Sequence, residues 1–155
     1  MTAVLSQQYQ AWDAELNAIL ESEEDFIANL ANISAWLNMK LSQINWVGFY
    51  LLKGENLVLG PFQGNLACTR IPLGRGVCGT AAVTDSIMRI KDVHQFDGHI
   101  ACDTASNAEI VLPIHRNGEV VAVLDIDSPV FERFSEEDEK GLAQLVSTIE
   151  KHVFI

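Results

Sequence analysis

Along the first forty residues, apolar positions return every three to four places. Tyr9, Trp12, Leu16, Ile19 and Leu20 make one stripe, and Phe26, Ile27, Leu30, Ile33 and Leu37 make another. That period predicts two amphipathic helices over residues 1–40, with Ser22 and Asp25 reading as a capping signal between them. The pattern then changes. "INWVGFYLL" and "LVLGPF", rich in aromatic and β-branched residues, are joined by Lys53, Gly54, Glu55 and Asn56, as in a hairpin that opens a sheet at about Ile44. Residues 60 to 80 are rich in glycine. "VCGTAAVTD" predicts a short helix and "SIMRI" a short strand, and loops dominate from Lys91 to Ala108. "EIVLPI" and "EVVAVLDID" form a second hairpin about "HRNG". Ser135 opens a closing helix over residues 135–153, with Glu136, Glu137, Asp138 and Glu139 at the positive end of its dipole. Hairpins between terminal helices predict an α+β fold, with a central antiparallel sheet over residues 44–127 and the helices packed on it.

At 155 residues and 48% hydrophobic content, the chain is expected to fold as a single domain spanning residues 1–155. Its apolar stretches fall far short of the ~20 residues that cross a bilayer. The beginning "MTAVLSQQYQAWDAE" lacks a basic region followed by an apolar one, so a soluble, cytoplasmic protein is expected. Ten Lys plus Arg against 21 Asp plus Glu give a formal charge of −11, which repels nucleic acid and anionic membranes. The three cysteines, an odd number, argue for thiols kept reduced and against a secreted disulfide framework.

Chemistry gathers at the last strand. In "EVVAVLDID", alternation places Val121, Val123, Asp125 and Asp127 on one face. Two acids continuing an apolar face mark either a polar pocket or a solvated strand end. The turn decides which face Glu109 takes. A two-residue Asn117-Gly118 turn puts Glu109 opposite Ile126. A three-residue loop, Arg116-Asn117-Gly118, puts it opposite Asp125. The second register is expected, because it gathers Glu109, Asp125 and Asp127 where mutual repulsion raises at least one pKa.

Cys102 lies in the polar loop "IACDTASNAE" that feeds the acidic strand, which makes it the candidate nucleophile. Cys78 follows "GRGV" at a helix start, where free N–H groups, the dipole and Arg75 lower a thiol pKa; its alternative is a small residue packed there. Cys68 has only Arg70 as an activating neighbour and is either a loop thiol or a resolving partner. A zinc site built on these cysteines and His94 or His99 lacks any Cys-x-x-Cys pair. His99, three residues before Cys102, either tunes that thiol or is a surface residue. No Walker loop, Gly-x-Gly-x-x-Gly fingerprint or Gly-x-Ser-x-Gly elbow is present.

The succession "NWVGFYLL", "LGPFQGNLACTRIPLGRGVCGTAA", "HIACDTASNAEIVLPI" and "GEVVAVLDIDSPVFERFSEED" resembles the free methionine-(R)-sulfoxide reductases, which are stand-alone GAF-domain enzymes, over nearly the whole chain. The resemblance implies a single GAF-like domain. It also implies reduction of the R epimer of free methionine sulfoxide to methionine, with no cofactor or metal and with thioredoxin as the reductant. Cys102 then matches the catalytic cysteine, Cys68 the resolving cysteine, and Cys78 a third redox cysteine of open role. Glu109, Asp125 and Asp127 match acids that hold and polarise the substrate, and Trp46 and Tyr50 match the aromatic wall around its methyl group. A homodimer is compatible with a GAF fold, although no stretch marks an interface. The competing readings are a GAF small-molecule-binding module and a thiol redox sensor without turnover.

Overall fold

The computed structural model describes every residue except Met1, Ala101 and Asp103, and side chains from Val4 onward. In chain order the elements are α1 (Thr2–Glu21), α2 (Phe26–Lys40), β1 (Trp46–Lys53), β2 (Asn56–Gly64), β3 (Arg70–Pro72), α3 (Gly76–Thr84), β4 (Met88–Ile90), β5 (Ala108–Arg116), β6 (Glu119–Ser128) and α4 (Glu136–Val153). A 3-10 turn at Val93–Gln95 interrupts the long loop before β5. The six strands form one antiparallel sheet in the order β3-β2-β1-β6-β5-β4. Among the described residues no helix is long and apolar enough to cross a membrane.

The sheet separates two layers. On one face Val47, Phe49, Ile110, Leu112, Ile114, Ala122, Leu124 and Ile126 pack against α1, α2 and α4, forming the main core with Leu16, Leu30, Leu37, Leu142 and Ile149. On the other face Trp46, Tyr50, Val111 and Val123 pack against α3 and its flanking loops. Each core side chain removed from water contributes roughly 1.5–3 kcal/mol, so the helical layer carries most of the stability and leaves the opposite face free for chemistry.

The helix ends follow the acidic and hydroxyl residues, with one correction. Ser135 caps α4 in a full capping box with Asp138, as the sequence indicates. At α2 the cap is Asp25, whose carboxylate accepts from the Ala28 N–H at 2.8 Å, while Ser22 donates to the Ile19 carbonyl at the end of α1. A carboxylate placed directly before the first helical residue reaches the free N–H groups, and Ser22 stands too far back. Ile27, expected on the buried stripe, is 56% exposed, because it lies about a quarter of a turn from the centre of the stripe through Leu30, Ile33 and Leu37. The sheet begins at Trp46, two residues later than expected. The three-residue strand β3 was not expected at all; its pairing with β2 places it in the glycine-rich stretch.

The second hairpin departs from expectation in an informative way. Asn117 and Gly118, at φ +53° and +80°, form a two-residue turn that pairs Arg116 with Glu119 and His115 with Val120. The ladder then skips Val121 in a β-bulge and resumes at Ile114 with Ala122, so Glu109 lies opposite Asp127 and not Asp125. The turn residues favour one register, whereas burial of Ile110, Leu112 and Ile114 on the same face as Ala122, Leu124 and Ile126 requires the next. The bulge satisfies both demands. The acidic trio still shares one face.

Beside the bulge, His115 ties the two layers together. Its Nδ1 lies 2.7 Å from Glu150 Oε2 on α4, and its Nε2 lies 2.6 Å from Asp85 Oδ1 at the end of α3. Burial pulls the imidazole pKa down, but the hydrogen bonds and charges of Asp85 and Glu150 outweigh it and raise the net value. Protonated His115 therefore favours the folded state below its ordinary pKa of ~6.5, and that contribution disappears as pH rises through the higher folded value. The gap in thermal midpoint between the wild-type protein and His115→Gln should close with rising pH above about 6.5. A gap constant with pH would show that the tie acts through packing alone.

Candidate active site

Strand pairing sets out the floor of a cleft row by row. Trp46 on β1 stands opposite Asp127 on β6, which stands opposite Glu109 on β5; the next row runs Gly48, Asp125, Val111, and the next Tyr50, Val123, Pro113. Residues facing one another across an antiparallel pair share a face. Trp46, Tyr50 and the three acids therefore point to the same side; the sequence reading put the acids together on one face, and only the family resemblance joined the aromatic pair to them. The cleft, counted to its open mouth, holds about 500 Å³. Its lining also includes Cys78 from α3 and His99, Cys102 and Ser106 from the loop before β5.

Above this floor Cys68 and Cys102 are joined in a disulfide that closes 34 residues, with Cα atoms 5.5 Å apart. The sequence left this pairing open except through family resemblance. The bridge also removes the zinc reading, which required both of these thiols. Ala101 and Asp103, which flank Cys102 in the loop expected to carry the nucleophile, lie outside the described residues. Gly76, at φ +61°, opens α3 directly beneath the same loop. A side-chain carbon there would sit 3.2 Å from the Ile100 side chain, so glycine lets the helix approach the Cys102 segment closely.

The aromatic residues do more than line a wall. Trp46 Nε1 donates to the Asn65 carbonyl at 3.2 Å, and the Tyr50 hydroxyl donates to the Cys68 carbonyl at 2.9 Å, anchoring the segment that carries Cys68. Trp46 stacks on Tyr50 at a centroid separation of 5.9 Å and on Phe62 at 5.1 Å. Phe62 was missed by the sequence reading; its signal was an aromatic residue on the strand that pairs with β1. Its partner across that pairing is Gly48, which leaves room for it.

Glu109 and Asp125 are both perturbed upward. Burial, then the Asp125 and Asp127 charges, push the Glu109 carboxyl well above the usual carboxylate range, and hydrogen bonding to the two aspartates adds to the effect. Burial also raises Asp125, opposed by hydrogen bonds from Glu109, Cys78 and Asp127. Those opposite effects put the proton on Glu109, donating toward Asp125. One Asp125 oxygen, Oδ1, is buried without a hydrogen-bond partner.

Cys78 requires a correction. It occupies the first turn of α3, as expected, but it is only 4% exposed, and its thiol donates to Glu109 Oε2 at 3.9 Å. Burial first, and then the Asp125, Glu109 and Asp127 charges, push its pKa well above the ordinary thiol value, overriding the helix dipole. Arg75, expected to assist, is exposed. His99 is not the surface residue that was one of its two expected roles. Its side chain is 16% exposed, its Nε2 stands 3.9 Å from Glu109 Oε1, and burial keeps its pKa below the ordinary histidine value. His94 is exposed and its Nε2 lies 2.9 Å from Asn107 Oδ1.

The GAF domain family matches residues 21–152. Over 143 residues the chain is 58% identical to the free methionine-R-sulfoxide reductase of Escherichia coli, covering 92% of this chain and 87% of that protein. Among solved structures, the free methionine-R-sulfoxide reductase of Neisseria meningitidis in complex with its substrate superposes with a TM-score of 0.92 at 40% identity, over 96% of this chain and 90% of that one. The reduced form of the Staphylococcus aureus fRMsr superposes at 0.90 with 49% identity, covering 94% of each. The chain belongs to the GAF domain family and, within it, to the free methionine-R-sulfoxide reductases.

Proposed function

We propose that the protein, acting through its whole chain as one catalytic domain, reduces free L-methionine (R)-sulfoxide to methionine at the cleft beneath Cys102. The observation that carries this reading is the Cys68–Cys102 disulfide lying over a floor of buried, proton-holding carboxyl groups. The Cys102 thiolate attacks the sulfoxide sulfur while Glu109 gives its proton to the oxygen, which would otherwise be a poor leaving group. In the resulting adduct the hydroxyl passes to the Cys102 sulfur as the sulfur–oxygen bond and the new sulfur–sulfur bond break, so methionine departs and Cys102 is left as a sulfenic acid. The Cys68 thiol then attacks the Cys102 sulfur, a water molecule leaves, and the disulfide closes. An external dithiol of the thioredoxin type reopens it through a mixed disulfide, so one sulfoxide and one dithiol become one sulfide, one disulfide and water.

The remaining residues supply recognition. Trp46 and Tyr50 enclose the methyl group, and Asp125 and Asp127 receive the substrate ammonium, a charge that peptide-bound methionine lacks. Dependence on a reduced dithiol pool fits a cytoplasmic setting.

Thioredoxin-coupled NADPH consumption with separately resolved R and S epimers of free methionine sulfoxide tests the reading. Turnover of the R epimer is the expected result. Oxidation of the thiols by peroxide, with no turnover of either epimer, would make the protein a redox sensor.

A further inference from the structure

We propose that Cys78, Glu109 and Asp125 form a binding site for a borderline-soft divalent cation of the zinc class on the cleft floor, separate from the Cys68–Cys102 redox pair. One ligand atom from each of the three buried side chains lies within 4.8 Å of the others. Zinc bonds of ~2.0–2.3 Å place neighbouring ligand atoms about 3.5 Å apart. The Cys78 Sγ to Glu109 Oε2 separation of 3.9 Å is already close to this, and a small inward movement completes the set.

A second feature points to a ligand here. Asp125 is among the residues that line the cleft, and its Oδ1 is buried with no hydrogen-bond partner. A substrate ammonium would satisfy that oxygen, but an ammonium gains little from a buried thiol. One sulfur and two carboxylate oxygens, with a fourth position open to water from the mouth, match zinc. As the cation enters, the Cys78 and Glu109 protons leave to solvent and metal–ligand bonds replace them. A cation seated there occupies the floor beneath Cys102, so zinc-class metals would compete with substrate. That last consequence rests on the reductase reading.

The test uses the full chain with the Cys68–Cys102 disulfide closed, which leaves Cys78 as the sole free thiol, and Co²⁺ as the probe. Titration should produce a thiolate-to-cobalt charge-transfer band that saturates at one equivalent and disappears on adding Zn²⁺. Cys78→Ser should abolish the band. Asp125→Asn, which keeps the thiol, should weaken binding by about 10–100-fold or more, as loss of even an outer partner does. No band in the wild-type protein, a band undiminished in Cys78→Ser, or unchanged affinity in Asp125→Asn would each overturn the site. If Cys78→Ser fails to fold, the wild-type titration and Asp125→Asn decide. The oxidised chain does not turn over, so failure here leaves the reductase reading standing, and failure of the epimer assay leaves the cation site standing.

Discussion

Replacing Cys102 with serine is expected to reduce turnover of the R epimer to background, a loss on the order of 10³-fold or more, corresponding to about 4 kcal/mol of barrier. A hydroxyl is a poor nucleophile toward sulfur and cannot pass through a sulfenic acid to a disulfide. The companion variant separates attack from resolution. Cys68→Ser keeps the attacking thiol but removes the partner that forms the observed bridge. It should therefore release one equivalent of methionine per chain and stall, with Cys102 held as a sulfenic acid that dimedone labels. Rapid-quench counting of methionine checks this. Continued turnover by Cys68→Ser at the wild-type rate would mean that Cys78 resolves the intermediate despite its burial and raised pKa. Undiminished turnover by Cys102→Ser would remove Cys102 from the chemistry.

Glu109→Gln, assayed with a chelator present so that the floor is free of cations, should lower kcat by about 10²–10⁴-fold, the span of one positioned general acid. Glutamine preserves the shape and hydrogen-bonding capacity of Glu109 but has no acidic proton to transfer. In the wild-type enzyme, activity should fall on the alkaline side as pH passes through the raised Glu109 pKa, and that limb should be missing from the variant's residual activity. The same substitution should act on stability with the opposite sense. Glu109 has its folded pKa above its unfolded one, so the folded state is favoured below the unfolded value of ~4.3 and loses that advantage as pH rises toward the folded value. Removing the carboxyl should therefore flatten the decline of stability between acid and neutral pH, as read by chemical denaturation across that range. A variant with wild-type kcat would remove Glu109 as the proton donor. A variant with an unaltered stability profile would mean that the carboxyl titrates normally.

Under the proposed mechanism, catalysis and stability oppose one another at Glu109. The fold tolerates the conflict because the helical layer on the other face of the sheet holds the larger apolar core and contains none of the site acids. Burying Glu109, Asp125 and the Cys78 thiol costs free energy that this layer offsets. The arrangement also explains why the aromatic residues serve two purposes. Trp46 and Tyr50 line the cleft, and through Asn65 and Cys68 they hold the segment whose thiol must meet Cys102.

Local pattern alone determined much of this protein. The 3.6-residue period of the terminal segments, the two hairpins, the Ser135 cap and the shared face of Asp125 and Asp127 all follow from side-chain alternation and end chemistry, which act over a few residues. The acidic trio is the instructive case. The expected three-residue turn and the observed two-residue turn with a bulge at Val121 bring the same residues to the same face, because burial of the alternate positions on β5 and β6 constrains both solutions. Alternation sets the face, but it leaves the register free by steps of two, so whether Glu109 met Asp125 or Asp127 was decided only when the strands paired. The pairing of Cys68 with Cys102, the burial of Cys78 against Glu109, the approach of His99 to the same carboxyl and the stacking of Phe62 on Trp46 were likewise tertiary outcomes. Each joins segments distant in the chain, and a thiol's pKa depends on what surrounds it in space. For Cys78 the sequence offered both an activated thiol and a packed one at the helix start, and only the tertiary structure chose the packed one.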